Sequence, residues 1–479
     1  MKKGIKKCLL VLLVLSMTVL TACGGKKTDK EVSSTGTDAQ ESKEQETTDV
    51  KETEETAETA TEAEEPAMDL GGMEIIIGDW WSSGEEAEPT TAQQEATQEY
   101  RKMIQEKYNF TIKQVNVADF DTYQETFTTS TMAEDPAASI FMMAPSWISQ
   151  PLANGLIYDL STLKNFDLTE AKWNQSVTKQ MTYGNSIYGM ASGKPEPKLG
   201  LYWNKRLFKE AGLDPDLPYE LQASGEWTWK KFEELCKKLT IDSNNDGKID
   251  SYAMANFSPD FFRAAVISNN AQFIGKDESG KFFNATTDPN FLESLQWVTK
   301  LIEDGYEMPT PEDAEWDWFI AAFHDGKAAM HFGEQYRTGT WSDMKDDYGF
   351  VLCPKGPKSD TYATYFGDNI AVIPSCFDAE TAEKIAFAYN LWTNPTPGYE
   401  DVEDWKDFYY TRFRDERAVD ETLSMMYEDG IAREEYLPFV YGTSFGDFAY
   451  DLYALVSTPA EKIEAVSGMW QSLIDDANK

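Results

Sequence analysis

The sequence predicts an α/β body carried behind a secretory leader and a polar tail, and three observations predict it. From residue 71 onward, short β-branched runs alternate with amphipathic helical stretches. Ahead of them, Lys26 to about Met68 has almost no large apolar side chain and no aromatic. The chain opens with Lys2, Lys3, Lys6 and Lys7, then an apolar run from Cys8 to Leu20. A basic start and a short apolar run form a signal peptide, since a spanning helix needs roughly 20 apolar residues. The polar tail cannot offset the entropy of ordering its backbone and is expected to be disordered. At ~45 residues it would reach on the order of 35–40 Å, more with charge repulsion.

Leu20-Thr21-Ala22-Cys23-Gly24-Gly25 closes the apolar run. This resembles a bacterial lipobox, which implies that Cys23 is lipidated and begins the mature chain. Acyl chains contribute about 0.8 kcal/mol per buried CH₂, enough for several to hold a protein on a membrane. The expected divisions are then a signal peptide over 1–22 and a lipidated tether over 23–70.

The chain carries 83 Asp and Glu against 43 Lys and Arg, a net charge of −40. Such a surface repels nucleic acid and anionic headgroups. It disfavours a polyanionic guest and leaves neutral and cationic ones open. Two histidines, His324 and His331, leave almost no room for histidine acid–base chemistry or a multi-histidine metal site. Cys236, Cys353 and Cys376 are expected to be thiols, at least two of them buried, because a body of this size needs no disulfide.

Met73–Gly78, Phe110–Val117 and Ala137–Met143 read as strands, with helices over Pro89–Lys107 and Tyr123–Ala133 between them. This alternation implies a parallel sheet with helices on its faces. Ligands of such sheets sit beyond the carboxyl ends of the strands. That directs attention to Trp80, Trp81 and Ser82 after the first strand and to Trp147 after the third. Further on, Thr228 can cap a helix whose apolar face is Phe232, Leu235, Cys236 and Leu239. Gly212 suits the end of the helix Arg206–Ala211. Strands at Leu201–Lys205, Ala328–Phe332 and Ile370–Ile373, and helices at Phe291–Ile302, Ala379–Thr393 and Glu461–Asp475, complete the pattern.

Leu201-Tyr202-Trp203-Asn204-Lys205-Arg206-Leu207-Phe208 with Ala211-Gly212-Leu213, Trp227-Thr228-Trp229 before Phe232, Gly326-Lys327-Ala328-Ala329-Met330, and Ile187-Tyr188-Gly189-Met190 stand in the chain. Together they resemble the conserved blocks of family 1 extracellular solute-binding proteins, the maltodextrin and multiple-sugar receptors of ABC importers. The last block departs from the family in having Ala191 where a proline is usual. The resemblance covers about residue 71 to the end. It implies a two-lobed, type II periplasmic-binding-protein (Venus flytrap) fold whose lobes are joined by three crossovers. These are placed near Ala191–Lys194, near Tyr365–Asn369 and within Arg412–Asp420. The N-terminal lobe would be 71–192 plus 368–415, and the C-terminal lobe 193–367 plus 416–479. It further implies a monomer that takes a small carbohydrate and delivers it to ABC transporter transmembrane subunits. Membrane contact would be through the lipid anchor alone, and no catalytic cofactor is expected.

Sugars present apolar C–H faces and rings of hydroxyls, so a receptor needs flat aromatic surfaces and planar polar side chains. The chain has 14 Trp and 23 Tyr. Glu334 and Tyr336 follow the Gly326–Met330 block, and Tyr336 stands where the family carries a stacking aromatic. Asp368 and Asn369 lie at the second crossover; Asp368 could meet two hydroxyls or hold the hinge. Phe257–Phe262 reads as a lid, with Asn256, Phe261 and Phe262 as contacts. Asp242, Asn244, Asp246, Lys248 (through its carbonyl) and Asp250 have the spacing of a calcium loop, with Gly247 at its turn. Ala253 replaces the bidentate Glu of an EF-hand. A structural Ca²⁺ and a metal-free Asx-rich turn are both consistent with this segment. Two other functions fit the chain: a surface glycoside hydrolase, which needs two carboxylates roughly 5–9.5 Å apart, and a sensor that signals without transport.

Overall fold

The computed structural model describes residues 68–84, 88–89, 91–400 and 405–479. The expected signal peptide, Cys23 and nearly all of the tether lie outside the described residues.

Two four-stranded sheets organise the body. In the first, Met73–Asp79 pairs in parallel with both Phe110–Asn116 and Ile140–Met143. Ile370–Val372 returns antiparallel at the edge, with Ile370 opposite Met143. One face buries Ile75 and Ile77 with Ile104 of helix Ala92–Tyr108 and Ile385 of helix Ala379–Trp392. From the other side, Phe141 and Met143 join Tyr123 and Phe127 in a cluster that continues into the second half. The expected parallel pattern holds here apart from the edge strand.

The second sheet departs from that expectation. Leu199–Asn204 runs antiparallel to Ala328–Glu334 and to Tyr348–Val351, and only Tyr252–Met254 pairs in parallel. The reason lies in the path of the chain. Leu199–Asn204 leads away from the junction of the two halves, while both of its partners run back toward it. All six of its residues are buried. Gly349 lies opposite Trp203, whose ring covers the place a Cβ would occupy.

Helix Trp229–Leu239 forms as its sequence requires. The Thr228 hydroxyl accepts from Lys231 N, and Phe232, Leu235, Cys236 and Leu239 are buried. Trp229 stacks on Trp297 at 4.2 Å and 6°. Gly212 adopts φ +72 just past helix Lys205–Glu210, the left-handed position that favours glycine. Cys236 and Cys353 are buried thiols and Cys376 is partly exposed.

The halves meet where residues 190–199 run beside 364–371. Met190 and Ala371 exchange backbone hydrogen bonds at 3.0 and 2.8 Å, and Lys198 N donates to Tyr365 O at 2.9 Å. The third passage is not within Arg412–Asp420. Phe413 stacks on Tyr202 of the second sheet at 6.4 Å, Lys205 binds Asp415 at 2.6 Å, and Trp405 packs on Tyr427 at 4.5 Å. Residues 405–415 are thus held to the second half by a buried aromatic and a partly buried ion pair. The passage lies earlier, after Trp392.

His331 is fully buried, donates from Nδ1 to Ala255 O at 2.8 Å, and stacks on Phe319 at 5.6 Å. Burial drives its pKa down to about 3, aided by the Arg337 charge. The unfolded chain binds a proton below about 6.5 that the folded one refuses, so stability falls as pH drops from there toward 3. His331→Phe should flatten the acid limb of unfolding free energy by up to about 1.4 kcal/mol per pH unit across pH 6 to 4. Denaturant melts of both proteins over that range measure the difference; parallel limbs would refute it.

Candidate ligand-binding site

Asp79 ends the first strand and is fully buried. Its carboxylate accepts from Trp81 N at 3.0 Å, Ser82 N at 2.8 Å, the Ser82 hydroxyl and Gln114 Nε2 at 2.7 Å. An acid at the end of a strand thereby folds the next three residues into a fixed turn. The turn points two indoles different ways. Trp80 sits edge-on to Trp147 at 4.9 Å, Tyr123 at 5.3 Å and Phe120 at 5.8 Å. Trp81 rests against Trp80 and stays 49% exposed, and Phe120 is 55% exposed. Trp147 comes from the 3-10 turn Pro145–Trp147 that follows the third strand. The structure therefore brings together Trp80, Trp81 and Trp147 as one aromatic wall. Phe120 belongs to it too. Sequence reasoning missed it, although its place one residue after Asp119, at the start of helix Phe120–Met132, was a signal. Ser82 is engaged with Asp79.

The second cluster follows strand Ala328–Glu334. Tyr336 is 42% exposed, and its hydroxyl donates to the Glu334 carboxylate. Lys198 Nζ and the Arg337 guanidinium flank its ring at 5.6 and 5.4 Å. Tyr365 OH reaches Glu334 at 3.5 Å. Lys198 also pairs with Glu196 at 2.5 Å, and Glu196 accepts from Gln335 Nε2 and, at 3.4 Å, from Tyr409 OH. Burial raises the Glu334 pKa against the pull of Arg337, Lys198 and Arg263. Asp260, buried beside Arg263, is pushed up to about 7 by burial and by Glu334. Glu196, Lys198 and Arg337 were not among the expected contacts. The 42% exposed Tyr336 gives this cluster an open face.

Both Asp368 oxygens accept from Glu196 N, at 3.0 and 3.1 Å, so this carboxylate serves the hinge. Burial pushes it up to about 6. Asn369 follows it, half-buried. The expected lid is not one. Phe261 and Phe262 are fully buried in helix Ser258–Ser268, and Phe261 stacks on Phe332 at 5.2 Å. Asn256 is buried and spends its side chain inside the protein, donating to Glu307 at 2.7 Å and accepting from Phe332 N at 2.7 Å.

In the acidic loop, Asp242 accepts from Asp246 N and Gly247 N at 3.2 and 2.8 Å, Asn244 from Asp246 N at 2.8 Å, and Asp246 from Lys248 N at 2.9 Å. Asp250 holds Ser243 N at 2.8 Å. Among the described residues no three acidic, histidine or cysteine side chains converge at metal-binding distance.

Two α/β halves tied at a hinge, each offering exposed rings beyond its strand ends, define a two-lobed binding protein of periplasmic type. The family model for bacterial extracellular solute-binding proteins matches residues 99–405. The chain belongs to that family. Among solved structures it is similar to an ABC substrate-binding protein from Listeria monocytogenes in complex with cycloalternan, at 19% identity over 85% of this chain and 98% of that one, with a TM-score of 0.57. A cyclic alpha-maltosyl-1,6-maltose binding protein from Arthrobacter globiformis is similar at 16% identity, 84% and 99% coverage, and a TM-score of 0.60. A maltose-binding periplasmic protein from Listeria monocytogenes in complex with maltose gives 16%, 84% and 98%, and 0.56. No curated protein matches the chain.

The two indoles should separate in a stability assay. Trp80→Ala empties the centre of the wall and should cost about 3 kcal/mol. Trp81→Ala removes a half-exposed ring and should cost less than about 1 kcal/mol. Urea titrations of both variants test this; equal losses would place both rings in the core.

Proposed function

We propose that this chain is a lipid-anchored receptor on the outer face of the cell membrane that captures a carbohydrate between its lobes and delivers it to ABC transporter transmembrane subunits. The observation that carries the reading is the pair of exposed rings, Trp81 and Tyr336, each held by a carboxylate at a strand end. Flat rings suit the C–H faces of a sugar, and Glu334, Glu196, Arg337 and Lys198 supply planar or charged groups for hydroxyls. Family membership supports capture of a solute rather than its chemical conversion. The sugar complexes of the similar structures support the class of guest. Among the described residues no helix is long and apolar enough to cross a membrane. Anchoring is assigned to Cys23 on the strength of the Leu20-Thr21-Ala22-Cys23 motif, and import to a partner. Binding shifts the population toward a closed form only as far as the guest prefers it.

A thermal-shift screen against a neutral mono- and oligosaccharide panel tests the reading. A true ligand at 100 times its Kd adds about 2.7 kcal/mol. Trp81→Ala and Tyr336→Ala should each weaken it about tenfold or more. Cleavage of an oligosaccharide would instead favour the hydrolase, and no response to any sugar would sink the proposal. Cys23→Ser should release the protein from membranes into the medium.

A structural calcium at Asp242–Asp250 is part of the same proposal. Backbone N–H groups occupy only some of the acceptor positions of Asp242 and Asp246, and a carboxylate has about four. Millimolar calcium should raise Tm in the wild type and not in Asp242→Asn; equal melting with calcium and with chelator would assign the segment as a plain Asx turn.

A further inference from the structure

A cavity of about 590 Å³ opens on the second half, away from the Tyr336 cluster. Its volume is that of a small-molecule site. Phe283 stands at its wall, 43% exposed. Asn270, Gln272 and Arg433 line it as well. Ring, amides and guanidinium are the same chemical set that the main site offers a sugar, with one difference.

The difference is Arg433. In a chain of net charge −40, the guanidinium groups of Arg206, Arg263 and Arg417 sit on carboxylates, Arg337 and Arg412 lie over the rings of Tyr336 and Phe408, and Arg414 donates to the backbone carbonyls of Trp341, Ser342 and Asp346. Arg433 forms no ion pair among the described residues, and its hydrogen bond is from Nη1 to Asn270 Oδ1 at 2.9 Å. A guanidinium carries five N–H donors in a fixed fork. Asn270 is itself in the left-handed region, φ 56, a conformation asparagine tolerates. The two acids lining the cavity have other duties. Glu434 binds Lys179 of the first half at 2.9 Å, and Asp288 caps helix Pro289–Glu303 through Asn290 N at 2.8 Å. Partial burial already disfavours the Arg433 charge, and no ion pair among the described residues offsets this.

The place of Arg433 ties the cavity to the main site. Its strand, Ala432–Arg433, pairs in parallel with Thr364–Tyr365, with Tyr365 opposite Arg433. Tyr365 OH is the group that reaches Glu334. A second, much smaller pocket shares Ile267, Ala271, Gln272 and Glu434 with it and is lined also by Arg263 and Tyr365.

We infer that this cavity is a second sugar subsite that reads a carboxylate, so that the guest includes a uronic acid unit whose two carboxylate oxygens meet the Arg433 fork while Phe283 takes its ring face. Arg–carboxylate pairs are bidentate and roughly twice as strong as neutral hydrogen bonds, and the anion would supply the ion pair that Arg433 lacks. The inference rests on the carbohydrate reading above. It adds that the guest is acidic at one end, which the negative field of the whole chain hides.

The test is calorimetric titration of the full-length protein with a galactotriose oxidised to galacturonate at its non-reducing end alone and with neutral galactotriose, and of each with inorganic phosphate present. The wild type should prefer the uronate. That preference should fall at least tenfold in Arg433→Met and be partly restored in Arg433→Lys, which keeps the charge but loses the fork. Phe283→Ala, which removes an exposed ring, should also weaken the uronate, which guards against a folding defect at Arg433. A wild type that binds both sugars equally, or an Arg433→Met that keeps the preference, overturns the inference and leaves the carbohydrate reading standing. Inorganic phosphate that displaces the uronate completely marks a bare anion pocket and overturns it too. Failure of both sugars to bind also overturns the inference, and the panel screen above decides the carbohydrate reading separately.

Discussion

The short backbone ladder between residues 190–199 and 364–371 is the constraint on which the rest depends. Met190 pairs with Ala371, Gly367 N donates to Glu196 O at 3.2 Å, and Lys198 N to Tyr365 O. The Thr364 hydroxyl closes the ladder, accepting from Leu199 N at 2.9 Å and donating to Leu199 O at 2.8 Å. Asp368 fills the remaining place by accepting from Glu196 N twice over. Each such bond contributes about 0.5–1.5 kcal/mol net, but leaving one unmade in a buried place costs more. The two passages therefore stay paired whatever the lobes do. The pairing also decides chemistry. It sets Glu196 and Lys198 beside Gln335 and Tyr336, residues roughly 140 positions away in the chain.

The same device is used at both walls. A carboxylate at the end of a strand takes hydrogen bonds from the residues that follow and so fixes the rings they carry. Asp79 does it through backbone N–H groups and Glu334 through a phenol hydroxyl. Rings fixed in advance lose little freedom when a guest arrives, which is where preorganised sites gain affinity. The surroundings differ in charge. The Trp80 wall is built of rings, whereas the Tyr336 cluster gathers Glu334, Asp260, Arg263, Arg337 and Lys198, with burial holding both acids toward their neutral forms.

Local chemistry was legible in the sequence; pairings across the chain were not. Thr228 with its helical apolar face, Gly212 after its helix, and the strand-end tryptophans could be read because each signal lies within a few residues. Phe257–Phe262 reads as a lid in the sequence, yet helix Ser258–Ser268 is buried on most sides and has no exposed face to define a period. Asn256 looked available because its partners, Glu307 and Phe332, are remote in sequence. The third passage was misplaced for the same reason: only the fold reveals that Phe413 lies on Tyr202. Arg433 carries no local motif at all.

Away from the hinge the halves meet again, through apolar packing that includes Tyr183 edge-on to Phe282 at 6.2 Å and through a polar seam. Lys276 projects from strand Ile274–Lys276 of the second half and donates to Thr182 O at 3.1 Å and, more weakly, to Lys179 O and Gln180 O at the end of helix Gln175–Gln180. A cation there meets carbonyls that the helix leaves unsatisfied. Burial, then the neighbouring Lys179, brings its pKa down to about 8, so the contact is made at the expense of solvation. Lys179–Glu434 is partly exposed and adds little. Such contacts can break and re-form without disturbing the paired hinge. A guest that touched both halves would add to them, and a difference of a few kcal/mol between two arrangements is enough to move the population decisively.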